Sequence, residues 1–328
     1  MEIGKVSETV LKRSVLKQIT HRRQEVLVGP GVGEDCSVLA LDQDEVFVIS
    51  TDPITGTTED IGTLAVHITA NDISSNGAEI VGIMLTILLP DGTGESELKE
   101  MMREIDAVCE KLNIEIMGGH TEITAVVNQP VITVTGVGKM HKDAMIKTAG
   151  ISPGQEIVMT KWAGLEGTAI IAKAKETELL CKYGRDFING AKDFLDDISV
   201  VKEAGIARKL GVTSMHDVTE GGIFGALWEL GEASGVGIEA DIRKITLKQE
   251  TVEICEFFDL NPYQLISSGV MLMVTDRANA LADELNRNGI TAAVIGRITE
   301  GNDRIIINGD EKRYLEPPKS DELYKVMT

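Results

Sequence analysis

Carboxylates recur where short apolar runs end in the first 122 residues of this chain. Gly31-Val-Gly-Glu-Asp35 turns through Cys36 into an apolar run, and Ile49-Ser-Thr-Asp52 closes the next one. Thr69-Ala-Asn71-Asp72 is followed by Gly77-Ala78, and Ile116-Met-Gly118-Gly119-His120-Thr121-Glu122 carries an apolar segment into paired glycines. Each segment alone also reads as a turn or a cap, since Asp, Asn and Gly favour such positions for backbone reasons. Together they would bring several carboxylates to one end of a domain, where they repel unless a cation neutralises them. Oxygen-only ligands of this kind point to Mg²⁺, which takes a few carboxylates and completes its shell with water and phosphate oxygens.

A second group lies further on, in Met215-His216-Asp217-Val-Thr219-Glu220-Gly221-Gly222-Ile-Phe-Gly225. Thr219 or Asp217 could cap the amphipathic run that follows, and Gly221 and Gly222 would let a phosphate approach the first N–H groups of that helix. An ordinary capped helix fits the same residues. Ser267-Ser268-Gly269, ahead of Val270–Val274, reads either as a turn into a strand or as a loop lining a nucleotide.

Composition narrows the classes. The 328 residues carry 32 Lys and Arg against 52 Asp and Glu, a net charge of −20, and only 4% of them are aromatic. An acidic surface with few stacking platforms argues against a nucleic-acid binder. The longest apolar stretch, Ile80–Leu89, is about half of the ~20 residues a membrane helix needs. Cys36, Cys109, Cys181 and Cys255 form no CxxC pair, and the charged N-terminus has no apolar core of a signal peptide. A soluble, cytoplasmic protein is expected, with no nucleic-acid or membrane partner.

The elements that must position these groups follow from periodicity. Helices are expected over 8–23 (with a basic outer face), 61–75 and 95–112, and strands over 46–51, 81–89, 114–117 and 131–137. After the turn-rich stretch 141–154, strands over 156–160, 213–216, 236–240, 268–275 and 292–298 alternate with helices near 164–176, 193–210, 222–234 and 277–288. The pattern predicts two α/β domains, residues 1–150 and 151–328. Cys109 falls on the apolar side of helix 95–112 and reads as core.

The order of these motifs resembles the aminoimidazole-ribonucleotide (AIR) synthetase superfamily over roughly residues 30–300. That group includes the purine-pathway cyclo-ligase, HypE, thiamine-monophosphate kinase and selenophosphate synthetase. Asp35 in GVGEDCSVL is similar to its GDDAAV segment, Asp52 to its TTD, Asn71-Asp72 with Gly77-Ala78 to its ND…GA, Gly118-Gly119-His120-Thr121 to GG(D/E/H)T, and His216–Gly222 to (H/R)DxTxGG. The resemblance implies an α+β N-terminal domain that pairs with a second copy in a barrel across a homodimer, then an α/β C-terminal domain. It implies ATP and Mg²⁺ as cofactors, with Asp35, Asp52 and Asp72 holding the metal. Asn71, Gly118, Gly119, Thr121, Thr219, Gly221 and Gly222 would contact the nucleotide, and His216 and Asp217 would be catalytic. Members transfer the γ-phosphate to an oxygen or selenium nucleophile, often activating an amide-type carbonyl, a task of positioning and charge neutralisation.

Departures from the pattern bear on the branch. HypE proteins end in a Pro-Arg-Ile-Cys-like tail, whereas this sequence ends Asp321-Glu-Leu-Tyr-Lys-Val-Met-Thr328 and its last cysteine is Cys255. No cysteine precedes Cys36, as selenophosphate synthetase would require, and the kinase and cyclo-ligase signatures are partial or absent. Ile61–Asp72 is the most HypE-like stretch. The expectation is an AIR-synthase-type or HypE-like enzyme acting by phosphoryl transfer on an unidentified small-molecule or protein acceptor. A kinase of the thiamine-monophosphate type and a non-catalytic nucleotide-binding regulator are the alternatives.

Overall fold

The computed structural model describes residues 26–28, 31–34, 37–40, 44–54 and 60–327; the basic helix expected over 8–23, Asp35 and Cys36 lie outside them. The described residues form two compact units, divided at Met145/Ile146, with residues 31–34 belonging to the second.

The first unit runs β1 (Val26–Val28), β2 (Ser37–Ala40), β3 (Glu45–Ile54), α1 (Ile61–Ser75), β4 (Glu79–Leu89), α2 (Glu95–Leu112), β5 (Glu115–Ile123) and β6 (Val131–His141). Its six strands lie in the order β1-β2-β3-β6-β4-β5. Neighbours are antiparallel except β4 and β5, which α2 joins as a parallel crossover. Period-two alternation sorts the sheet's faces: β3 buries Val46, Val48, Ser50 and Ile54 while Phe47, Thr51 and Pro53 are exposed. The buried face is covered by the helices. Gly136 and Gly138 let α1 lie close upon β6, since a Cβ at either would stand 2.4–2.5 Å from Thr69 or Ile73 of that helix. α2 is amphipathic, burying Met101, Ile105, Val108 and Cys109. α1 is different: apolar and polar residues alike are buried almost all round.

The second unit continues with β7 (Glu156–Thr160), α3 (Leu165–Ala174), α4 (Glu176–Leu179), α5 (Arg185–Lys192), α6 (Val201–Leu210), β8 (Ser214–Val218), α7 (Gly222–Ser234), β9 (Gly237–Asp241), α8 (Gln249–Phe257), β10 (Val270–Thr275), α9 (Ala278–Arg287), β11 (Ala292–Thr299), β12 (Arg304–Asn308), β13 (Glu311–Tyr314) and α10 (Tyr324–Met327). The strand order is β13-β12-β9-β11-β7-β10-β8, antiparallel throughout except for β9 with β12. Both faces of the central strands are covered. Val270, Leu272 and Val274 enter one core with Ile157, Ile223 and Leu227, and Met271 and Met273 enter another with Val158, Ala204 and Leu281. Burial on both sides is why β10 reads as a continuous apolar run rather than an alternating one.

The helix expected over 193–210 is broken. A 3₁₀ turn at Asp193–Asp197 precedes α6, and the gap is pinned from outside. The buried Lys161 ammonium donates to the Ser199 carbonyl at 2.6 Å and the Gly269 carbonyl at 2.9 Å, and pairs with Glu203 at 2.6 Å. Among the described residues no helix is long and apolar enough to cross a membrane.

Candidate functional site

In the first unit Ser50 and Asp52 share the parity of Val46 and Val48, so β3 turns them toward the helix layer, where α1 presents Asp72. The Ser50 hydroxyl donates to Asp72 Oδ2 at 2.6 Å and lies 3.3 Å from Asp52 Oδ2. Those two carboxylate oxygens therefore stand within about 6 Å of each other. At that range two ionised carboxylates repel by about 3 kcal/mol for a protein-like dielectric. Asp72 and Ser50 are each 6% exposed, and Asp52 is half-buried. Asn71 is fully buried beside them. The end of α1 is polar as well: Ser75 donates to the Asp72 carbonyl at 2.6 Å, and the buried Asn76 Oδ1 has no hydrogen-bond partner among the described residues. Asp35, the third expected ligand, is outside the described residues. Among those described, no group of three or more His, Cys, Asp or Glu is placed to hold a metal ion. Two expected ligands are thus brought together, joined by a serine hydroxyl that the sequence reading did not single out.

Gly118 and Gly119 are not in a turn: the strand expected to stop at 117 runs on through both to Ile123 as the exposed edge of the sheet. Register places Gly119 in one row with Leu85, Val134 and Asp52. Three strand spacings, about 14 Å, separate its ends. Thr121 lies in the row of Ile87 and Ile132, so Gly119 and Thr121 share the sheet face of Asp52. Gly118, His120 and Glu122 fall on the opposite face, where the His120 ring nitrogen is 3.4 Å from the Glu122 carboxylate. A side chain at Gly119 would put its Cβ 2.0 Å from the Leu85 carbonyl oxygen. Close approach of the neighbouring strand therefore accounts for that glycine.

In the second unit β8 separates the two residues expected to be catalytic. His216 pairs in register with Leu272, and Asp217 with Met271, so they point to opposite faces of the sheet. His216 faces α7, with its Nε2 3.1 Å from the Glu229 carboxylate, both side chains buried. Asp217 is 2% exposed. The loop that follows is held by one bond of its own and by two from other segments. Gly222 N–H donates to the Thr219 carbonyl at 3.1 Å, Phe224 N–H to Tyr263 at 3.0 Å, and Gly221 N–H to the Asp321 carboxylate at 2.7 Å. Gly221 itself, at φ +85°, is the residue preceding α7, and neither Thr219 nor Asp217 caps the helix with its side chain. A Cβ on Gly222 would stand 2.7 Å from the carbonyls of Tyr263 and Leu265.

Around this loop lie acids that the sequence reading passed over. Burial pushes the Glu166 carboxyl up to about 7, against hydrogen bonds from Ser268 that favour its ionised form. Burial likewise raises Asp321 to about 6, although the amides of Leu323, Gly221 and Ile266 all donate to it. Glu220 accepts from the Tyr324 hydroxyl at 2.6 Å. No spacing in the sequence connects positions 166, 220 and 321. Burial raises the thiol of Cys109 to about 11 and that of Cys255 to about 12, which keeps both protonated near neutral pH, whereas Cys181 is exposed.

The chain as a whole is similar to known proteins. Residues 33–140 match the AIR synthase related protein N-terminal domain, and residues 152–308 match the C-terminal domain of the same family. A hydrogenase expression/formation protein of Methanocaldococcus jannaschii is 26% identical over 336 residues, covering 98% of this chain and 97% of its own. The carbamoyl dehydratase HypE of Cupriavidus necator is 27% identical over 255 residues, covering 76% of this chain and 70% of its own. Solved structures share the fold, among them two with bound nucleotide or analogue. ThiL complexed with AMPPCP and TMP has a TM-score of 0.74 at 18% identity, covering 96% of this chain and 98% of its own. The hydrogenase maturation protein HypE in complex with ATP has a TM-score of 0.70 at 18% identity, covering 99% and 98%.

Proposed function

Because this chain belongs to the AIR synthase related family, we propose that it is an ATP- and Mg²⁺-dependent enzyme that activates an oxygen nucleophile or an amide carbonyl of an acceptor by phosphoryl transfer. The observation that carries this reading is the Asp52–Ser50–Asp72 arrangement, two carboxylates directed onto one hydroxyl at the sheet–helix boundary. The donor set fits Mg²⁺: it is all oxygen, partly buried, and two protein carboxylates leave positions for water and phosphate. Asp52 and Asp72 would hold the ion, with Asp35 as the third ligand. When bound, the ion would neutralise phosphate charge. Asn71, Gly118, Gly119, Thr121, Thr219, Gly221 and Gly222 are the proposed nucleotide contacts. Gly119 and Thr121 have the supporting feature that they share the face of Asp52. His216 and Asp217 are the proposed catalytic residues of the second unit. Since they face opposite sides of β8 they act through different neighbours, His216 through Glu229. The test is calorimetry with ATP. Affinity should collapse when EDTA removes divalent ions and again in Asp72→Ala; unchanged affinity in that variant sinks the assignment.

The acceptor is proposed to come from outside the chain, as a small molecule or a partner protein's residue. The buried, high-pKa thiols of Cys109 and Cys255 support this, since neither is a nucleophile at neutral pH. The fold shared with ThiL favours a second reading, direct phosphorylation of a small molecule. Product analysis separates the two: a kinase releases ADP and a stable phosphorylated acceptor, and an activating enzyme releases ADP and inorganic phosphate. A homodimer is part of the proposal, supported by the sheet face opposite the helices, where Phe47, Val81 and Met84 are 37–49% exposed. A reducing, cytoplasmic setting is supported by the free thiols of Cys109, Cys181 and Cys255.

A further inference from the structure

The segment Glu316–Met327 is built into the wall that carries the Thr219–Gly222 loop. Asp321, 2% exposed, uses its two carboxylate oxygens differently. Oδ2 accepts the Gly221 N–H at 2.7 Å, while Oδ1 accepts the N–H groups of Ile266 at 3.1 Å and of Leu323 at 2.8 Å. One side chain thus ties together three stretches of chain. Pro318 lies over the loop, 3.2 Å from where a Cβ of Gly221 would stand and 3.5 Å from that of Gly225. The Tyr324 hydroxyl holds Glu220 from the same side. Leu323 and Val326 are buried in a core with Ile170, Ile254 and Leu265, and Glu322 accepts the Asn261 N–H at 3.0 Å. A segment so anchored is a fixed member of its unit.

Gly221 and Gly222 are consecutive residues in the left-handed region, at φ +85° and +59°. Glycine reaches that region without strain but is not confined to it. The loop therefore needs a tie from outside itself, and an ionised carboxylate is a strong acceptor for the purpose. We propose that Asp321 is a positioning residue, which sets the conformation of Thr219–Gly222 through the Gly221 N–H. The inference rests on the reading of that loop as part of the nucleotide site.

The unequal use of the two oxygens gives a selective test. Asp321→Asn keeps Oδ1 for Ile266 and Leu323 but turns an NH₂ group on the Gly221 N–H, so the segment stays anchored while the loop loses its tie. Amide hydrogen exchange should quicken by about tenfold at residues 221–225, the loss of one charge-assisted hydrogen bond, and stay unchanged at 323–327. In basal ATP hydrolysis KM for ATP should rise by a similar factor while kcat stays within about twofold. Should Asp321→Asn fail to fold, the wild-type protein decides: the Gly221 amide should exchange at least about tenfold more slowly than an unprotected amide, and an unprotected Gly221 overturns the proposal. Unchanged exchange at 221–225, or faster exchange with an unchanged KM, overturns the proposal. A wild-type protein that neither binds nor hydrolyses ATP would instead overturn the reading of the site, and the exchange arm would still report whether Asp321 holds the loop.

Discussion

Replacing Glu166 with Gln should stabilise the protein above neutral pH and do nothing in acid. Glu166 is 3% exposed at the start of α3. Burial raises its carboxyl from an ordinary 4.5 to about 7, with the nearby Asp321 and Glu220 adding to the rise. A tenfold change in proton affinity is worth about 1.4 kcal/mol. Keeping Glu166 ionised in the fold therefore costs about 3 kcal/mol at pH 8, relative to an unfolded chain in which the carboxyl is hydrated. Because the folded state binds its proton more tightly, this cost disappears as pH falls through about 7 and is gone below about 4.5. Glu166→Gln removes the charge and keeps an oxygen to accept the Ser268 N–H, now 3.3 Å away. The assay is urea unfolding of the two proteins at pH 8, 6.5 and 5, read as the difference between them so that the other carboxylates cancel. The variant should be more stable by up to about 3 kcal/mol at pH 8, with the gain shrinking toward zero at pH 5. A difference that does not change with pH, or a variant less stable than wild type at pH 8, would refute the reasoning.

Other substitutions test separate parts of the molecule. Gly119→Ala drives a Cβ into the Leu85 carbonyl; it should cost about 2 kcal/mol or more by thermal denaturation and loosen β5 selectively in hydrogen exchange. Gly118→Ala, with nothing within 4 Å of its Cβ position, should cost less, reflecting only its φ of +154°. Ser50→Ala leaves Asp52 and Asp72 without their shared hydroxyl, so the concentration of Mg²⁺ needed for half-maximal ATP binding should change severalfold in calorimetry, and an unchanged requirement would remove Ser50 from the site. Converting Cys36, Cys109, Cys181 and Cys255 to Ser or Ala, in variants that stay folded by circular dichroism, should leave acceptor-stimulated ADP formation intact; its specific loss with ATP binding retained would make one of those thiols catalytic.

The elements that periodicity placed well are those whose burial is one-sided or complete. α2 shows its stripe at Met101, Ile105 and Val108, and β10 shows an unbroken apolar run because both of its faces are covered. The segments missed, β1, α4, α5, α8, β12, β13 and α10, are short, and β13 is exposed along its whole length, so it carries no pattern to read. Glycine misled at β5, where Gly118-Gly119 spells a turn. Its backbone is extended, and Gly119 is there because the Leu85 carbonyl leaves no room for a side chain.

The candidate site divides along the same line. That Asp52 and Asp72 would meet was legible as type and order, because a carboxylate near the end of a strand and another late in the next helix can reach the same boundary; the strand itself runs on past Asp52 to Ile54. Which neighbour joins them was not legible: Ser50 is two residues before Asp52, and only strand parity puts both on the face that α1 covers. The opposite lesson comes from His216 and Asp217. Adjacent in sequence, they read as a pair, yet in a strand adjacency guarantees opposite faces, so His216 meets Glu229 of α7 while Asp217 faces the other side of the sheet. Asp321 completes the argument, since its partners Gly221 and Ile266 are set by the folding of a segment that carries no motif of its own. Motifs record which residues a backbone presents together, whereas the acids that hold such a backbone in place can come from anywhere in the chain, and only their burial and hydrogen bonds reveal them.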